Sequence, residues 1–148
     1  MGVQGTISEM GRYLILRLNF GAISSDGDVQ ANFRNYANCS CKQFSRKYAG
    51  QLKRPIEINA RNELDTLQDT FGVTKLSGHR IYLIVDHCDA FVKRLLLKID
   101  TSMPDLGRKQ YEITVSDKES MLRSWGSIIK GGTASGAIAR AFFTGVAP

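Results

Sequence analysis

The stretch Ile81-Tyr82-Leu83-Ile84-Val85-Asp86-His87-Cys88-Asp89 constrains the fold more than any other part of the chain. Five mostly large apolar residues run without alternation into an acid, and a second acid follows three places later. An unalternating apolar run suits a strand buried on both faces of a parallel sheet. Asp86 falls where such a strand leaves the core. In open α/β sheets that carboxyl edge is where ligands bind. Asp86 is therefore a candidate binding residue, with capping of the following helix as its ordinary alternative.

The pattern around this strand repeats the theme. Tyr13 to Leu18 reads as a first strand, interrupted only by Arg17, and Ile138 to Val146 as a last one. Phe33, Ala37, Cys41, Phe44, Tyr48 and Leu52 recur at spacings of three and four, which predicts one long helix ended by Pro55. Ala60 to Phe71 predicts a shorter helix, with Asn59 available as its cap and Gly72 as its stop. A further helix is expected from His87 to about Ile99, burying Phe91, Leu95 and Ile99. Tyr111 to Val115 is a short strand or an extended crossing segment. Ser116 and Glu119 have capping-box spacing, and the helix they open would bury Met121, Leu122, Trp125, Ile128 and Ile129. Gly131 to Gly136 reads as a flexible turn. Strands joined by helical crossovers predict a parallel sheet, covered by helices on both faces. Tyr13, Ile81 and Ile138 begin its three strands, which should be parallel and adjacent.

At 148 residues the chain fits one domain with a real core. Its 43% hydrophobic content is ordinary globular composition rather than that of a disordered segment. The formal charge of +6 is spread along the chain, and no basic run is long enough for a nucleic-acid tail. A basic face can still attract phosphates, so weak nucleic-acid binding stays an alternative. Three cysteines argue against a disulfide framework. Neither a secretory signal nor a bilayer-length apolar run is present. The expectation is an intracellular protein, cytoplasmic or nuclear, with no membrane partner.

Two segments resemble the AAA-ATPase-like family of the P-loop NTPase superfamily, whose members often carry a nuclease-like region after the ATPase part. The family shows a strand ending in Asp-Glu-Tyr-Asp, and here Asp86-His87-Cys88-Asp89 stands in that place. Later the family shows Val-Phe-Ile-Thr-Gly-Val-Ser-Pro, matched by Ala141-Phe142-Phe143-Thr144-Gly145-Val146-Ala147-Pro148. Tyr13 to Phe20 looks like the strand that follows the family's nucleotide loop. The resemblance implies a three-layer, parallel-sheet P-loop NTPase-like α/β fold, with the Ile81 strand between the other two and a site for ATP and Mg²⁺. Asp86 would be the Mg²⁺-associated acid and Thr144 the polar residue that senses the terminal phosphate. Asp89 would buttress the site, or accept hydrogen bonds in the first turn of the next helix.

The chain departs from the family in two places. His87 stands where the family has its water-activating glutamate. Histidine accepts protons near neutral pH but brings no negative charge to orient water beside a cation. No segment reads Gly-x-x-x-x-Gly-Lys-Ser/Thr. Gly131 and Gly136 are five apart, but Ala137 takes the lysine position and the segment lies between a helix and a strand, the reverse of the required order. Residues 1–148 are therefore expected to form a partial AAA-ATPase-like domain, an internal piece without the phosphate loop. Such a piece would keep a remnant Mg-nucleotide site and hydrolyse no ATP on its own. The alternatives are a structural or protein-interaction remnant, and weak nucleic-acid binding through the basic surface. Cys39, Cys41, His87 and Cys88 do not have zinc-site spacing.

Overall fold

The computed structural model describes residues 13–89, 105 and 121–145. Strands β1 (Tyr13–Asn19), β2 (Arg80–Asp86) and β3 (Ile138–Phe143) form one parallel sheet in the order β1-β2-β3. The Ile81 strand is central, as the resemblance implies. Asn19 lies opposite Asp86 and Val85 opposite Phe143, so all three carboxyl ends share one edge. The expected extent of β3 is shortened, because pairing stops at Phe143. Thr144 still donates its N–H to the Val85 carbonyl at 2.9 Å and accepts from the Cys88 N–H at 3.0 Å.

Three helices accompany the sheet: α1 (Val29–Lys47), α2 (Glu63–Leu76) and α3 (Met121–Ala134). Asp28 caps α1 by accepting from the Ala31 N–H, and the stripe Phe33, Ala37, Cys41 and Phe44 is buried. Tyr48 ends this helix as its cap, so Leu52 is buried beyond it rather than within it. In α2 the cap is Asn62, not Asn59, whose side chain instead accepts from the Arg61 N–H in a local turn. Gly72 does not stop α2. It sits exposed inside the helix while Phe71, Val73 and Thr74 around it are buried, and their packing outweighs the roughly 1 kcal/mol glycine penalty. The helix stops at Gly78, whose φ of +80° turns the chain while its N–H bonds the Lys75 carbonyl.

The segment from Gly131 also differs from expectation. Helix α3 continues through Gly131 and Gly132 to Ala134, and the turn is confined to Ser135 and Gly136, with φ of +85° at Gly136. The reason is close packing. A Cβ on Gly132 would lie 2.8 Å from Ile138 Cδ1 and 3.0 Å from the Phe71 ring, so only glycine lets α3 approach α2 and β3 this closely.

One face of the sheet carries the core. Leu14, Leu16, Leu18, Ile81, Leu83 and Val85 are buried against the helices, with Phe20, Phe33 and Trp125 meeting edge to face above them. The opposite face is different. Ile15 and Phe142 are each 46% exposed, and Tyr82 stacks on Tyr13 at 4.3 Å and meets Phe142 edge-on at 6.3 Å. Among the described residues the sheet is thus flanked by helices on its buried side, and the expected third layer is not seen. On β2 this face is half-buried, at Tyr82 and Ile84. The helix expected from His87, beyond residue 89, the Tyr111 segment and the Ser116 cap lie outside the described residues.

The outer edge of β1 is closed by side chains. The Ile15 N–H donates to the Tyr48 hydroxyl at 3.0 Å, and the Asn19 N–H donates to the Tyr36 hydroxyl at 2.6 Å. Buried or edge N–H groups need such partners.

Candidate functional site at the carboxyl edge of the sheet

Parallel strands deliver Asp86 and Thr144 to the same edge from neighbouring positions. The Thr144 hydroxyl donates to Asp86 Oδ1 at 3.0 Å and accepts from the His87 N–H at 3.3 Å. One hydroxyl therefore ties the end of β3 to the end of β2. The other carboxylate oxygen, Oδ2, accepts from Arg17 Nε at 2.6 Å. Arg17 is the charge that interrupts the apolar run of β1. The register sets it beside Ile84, one dipeptide short of Asp86, so its long arm reaches forward along the strands. The Asp86 side chain is 15% exposed, whereas that of Arg17 is 69% exposed. The Arg17 guanidinium, helped by the Thr144 hydroxyl, holds the Asp86 carboxyl below the usual aspartate range.

His87 turns the chain away from the sheet with φ of +53°, and it alone among the described non-glycine residues has a positive φ. Histidine tolerates this conformation better than most side chains. The ring is exposed and lies against the turn Phe20–Ala22, where a Cβ on Gly21 would come within 3.4 Å of it. Asp89 lies beside Gly145, whose added Cβ would meet Asp89 Oδ1 at 3.0 Å. All four residues singled out in the sequence thus gather at one edge. Arg17 was missed as a member of the group, although a lone charge inside an apolar strand was its visible signal.

Asp86, His87, Asp89 and Thr144 line neither of two cavities formed by the described residues. One, about 760 Å³, is open and lined by Glu57, Asn59, Arg61, Asp65 and Asp69. Its carboxylates make it unfavourable for phosphate, and Asp69 is already committed to Arg54 through two bonds of 2.6 and 2.9 Å. A second cavity of about 390 Å³ opens beneath the sheet edge between Phe20, Val85, Cys88, Trp125, Ile129 and Phe143, and its walls are almost wholly apolar. Among the described residues no group of three or more His, Cys, Asp or Glu side chains is placed to hold a metal ion. No described helix is long and apolar enough to cross a membrane. Cys41 is buried, and desolvation pushes its thiol up to about 11 despite a hydrogen bond with Thr70, so it is no nucleophile.

A small parallel sheet flanked by helices is consistent with a P-loop NTPase-like architecture. The match of a family model is more specific. The chain belongs to the family described as Predicted AAA-ATPase, whose model matches residues 3–148. No curated protein and no solved structure gives a significant match to the chain.

Proposed function

We propose that this chain carries the cation-side part of a nucleotide site in a partial AAA-ATPase-like domain, and that it does not hydrolyse ATP by itself. The observation that supports this most is the Asp86–Thr144 hydrogen bond across the carboxyl ends of adjacent parallel strands. A carboxylate and a hydroxyl are hard oxygen donors of the kind Mg²⁺ takes together with waters and phosphate oxygens. They fit an ion that arrives with a nucleotide, and being few they hold one only weakly, in the millimolar range, without it. When bound, Mg²⁺ would neutralise charge on the phosphate oxygens. Asp86 would hold the ion, Thr144 would orient Asp86 and meet the terminal phosphate, and Asp89 would support the turn that follows β2.

Hydrolysis needs more than these groups. Phosphoryl transfer depends on a cradle of N–H groups and a lysine that stabilise the transition-state charge. The sequence offers no such loop, and His87 supplies no negative charge to orient water. Calorimetric titration with Mg-ATP and a phosphate-release assay, on wild type and Asp86→Asn, test the proposal. Weak binding that falls in Asp86→Asn, with release at background, is expected. Turnover that vanishes in Asp86→Asn would overturn the negative half. Binding unchanged in Asp86→Asn and removed by salt would reduce it to attraction by the +6 surface.

A protein-interaction role is a second reading, favoured by one observation. The row Tyr13, Tyr82 and Phe142, with Ile15 beside it, leaves a partly exposed apolar sheet face.

A further inference from the structure

We propose that Arg17 is an internal competitor for the cation position at Asp86, so that this carboxylate accepts a divalent ion only as the guanidinium leaves it. The proposal rests on the assignment of Asp86 as the cation-side carboxylate, and it adds how that position is controlled.

Both oxygens of Asp86 are engaged, but by partners of different kinds. Thr144 is fixed by backbone bonds on either side, its N–H to Val85 and its carbonyl to Cys88. Its hydroxyl therefore stays with Oδ1. Arg17 holds Oδ2 from a side chain that is mostly in water. An exposed ion pair is weak, because water competes for both charges and a long side chain must be ordered to make it. Arg17 can swing out and be solvated. Asp86 cannot follow it, being largely covered and tied to Thr144. The exchangeable partner is thus the cation, and the carboxylate stays in place.

A divalent ion approaching Oδ2 meets a positive charge 2.6 Å from that oxygen. It must displace the guanidinium or bind against its repulsion. The two cations compete, and the affinity of the ion alone is lowered accordingly. A triphosphate changes the balance, since its oxygens attract the displaced guanidinium, and arginine is suited to phosphate. Ion and nucleotide would then favour each other's binding, and reciprocity requires the coupling to run both ways.

The test is titration with Mn²⁺ alone, following the free-ion electron paramagnetic resonance signal, on wild type, Arg17→Gln, Arg17→Lys and Asp86→Asn. Thermal melting by circular dichroism checks that each variant folds. Arg17→Gln should bind Mn²⁺ about five- to tenfold more tightly than wild type, from loss of the ion pair and of the repelling charge. Arg17→Lys, which keeps the charge without the planar fork, should fall between them. The gain should disappear in Arg17→Gln combined with Asp86→Asn. Equal affinities in wild type and Arg17→Gln, both lost in Asp86→Asn, would overturn the competition and leave the Asp86 assignment intact. Binding that survives Asp86→Asn, or no binding in any variant up to millimolar Mn²⁺, would overturn both.

Discussion

Replacing Trp125 probes the junction on which the buried face of the sheet depends. The indole is 2% exposed and meets Phe33 at 4.7 Å and Phe20 at 5.8 Å, both edge to face. Truncating a buried Trp to Ala costs about 3–5 kcal/mol. One side of the ring borders the 390 Å³ cavity, so some of its packing is already absent, and the lower half of that range, about 3–4 kcal/mol, is expected. Trp125→Phe separates two contributions. The indole N–H is buried with no hydrogen-bond partner among the described residues. Removing an unsatisfied buried donor returns about 1–3 kcal/mol, while the lost ring volume costs about 1.5–2 kcal/mol. The phenylalanine variant should therefore lie within about 1 kcal/mol of wild type. Urea unfolding followed by far-ultraviolet circular dichroism is the suitable assay, since Trp125 is the single tryptophan and the variants lose the fluorescent reporter. If Trp125→Phe is as destabilising as Trp125→Ala, the N–H is satisfied and the orphan-donor argument fails. If Trp125→Ala costs under about 1 kcal/mol, the ring is not the keystone of the junction.

The two adjacent glycines of α3 should respond in opposite directions. Gly131→Ala meets nothing within 4 Å and should stabilise by about 0.5–1 kcal/mol, whereas Gly132→Ala must push Ile138 and Phe71 and should cost about 1–3 kcal/mol, both read from urea midpoints. Asp86 is held below the usual aspartate range by Arg17 and Thr144, so the stability it adds is present above its unfolded value of about 3.9 and is lost as pH falls through the lower folded value. Melting wild type and Asp86→Asn across acid pH should show the advantage of wild type above that window and its loss below it. A difference that persists at the acid end would assign the effect to something other than ionisation. Thiol labelling of the native protein should modify exposed Cys39 first and half-buried Cys88 more slowly, and should reach Cys41 only on unfolding, as peptide mass analysis would show.

The sequence carried the sheet more clearly than the helix ends. Unalternating apolar runs located β1, β2 and β3, and the acid and hydroxyl at their ends fell together because parallel strands share an edge. The three-four stripe of α1 was equally legible, since Phe33, Ala37, Cys41 and Phe44 are all buried. Local rules failed where packing decides. Gly72, Gly131 and Gly132 are breakers by propensity, yet each lies within a helix that buries one face in the core. Asn59 and Asn62 are both good caps, and only the path of the chain selects between them. The aromatic row on the second sheet face was not read in advance, because such a row and a helix-covered face can have the same composition. Arg17 was visible as an interruption but had no partner in one dimension, since Asp86 is 69 residues away.

The tyrosine hydroxyls on β1 give the sheet a direction of growth. With the Ile15 and Asn19 N–H groups already satisfied, an incoming strand on that side would have to expel Tyr48 and Tyr36 before it could bond. Among the described residues nothing comparable guards β3, whose Phe142 and Phe143 are exposed and whose outer edge pairs with no described strand. Recruitment of another strand, from this chain or from a second molecule, is therefore channelled to the β3 side. A strand arriving there in parallel would bring its own carboxyl end beside Thr144, at the edge where Asp86 already lies.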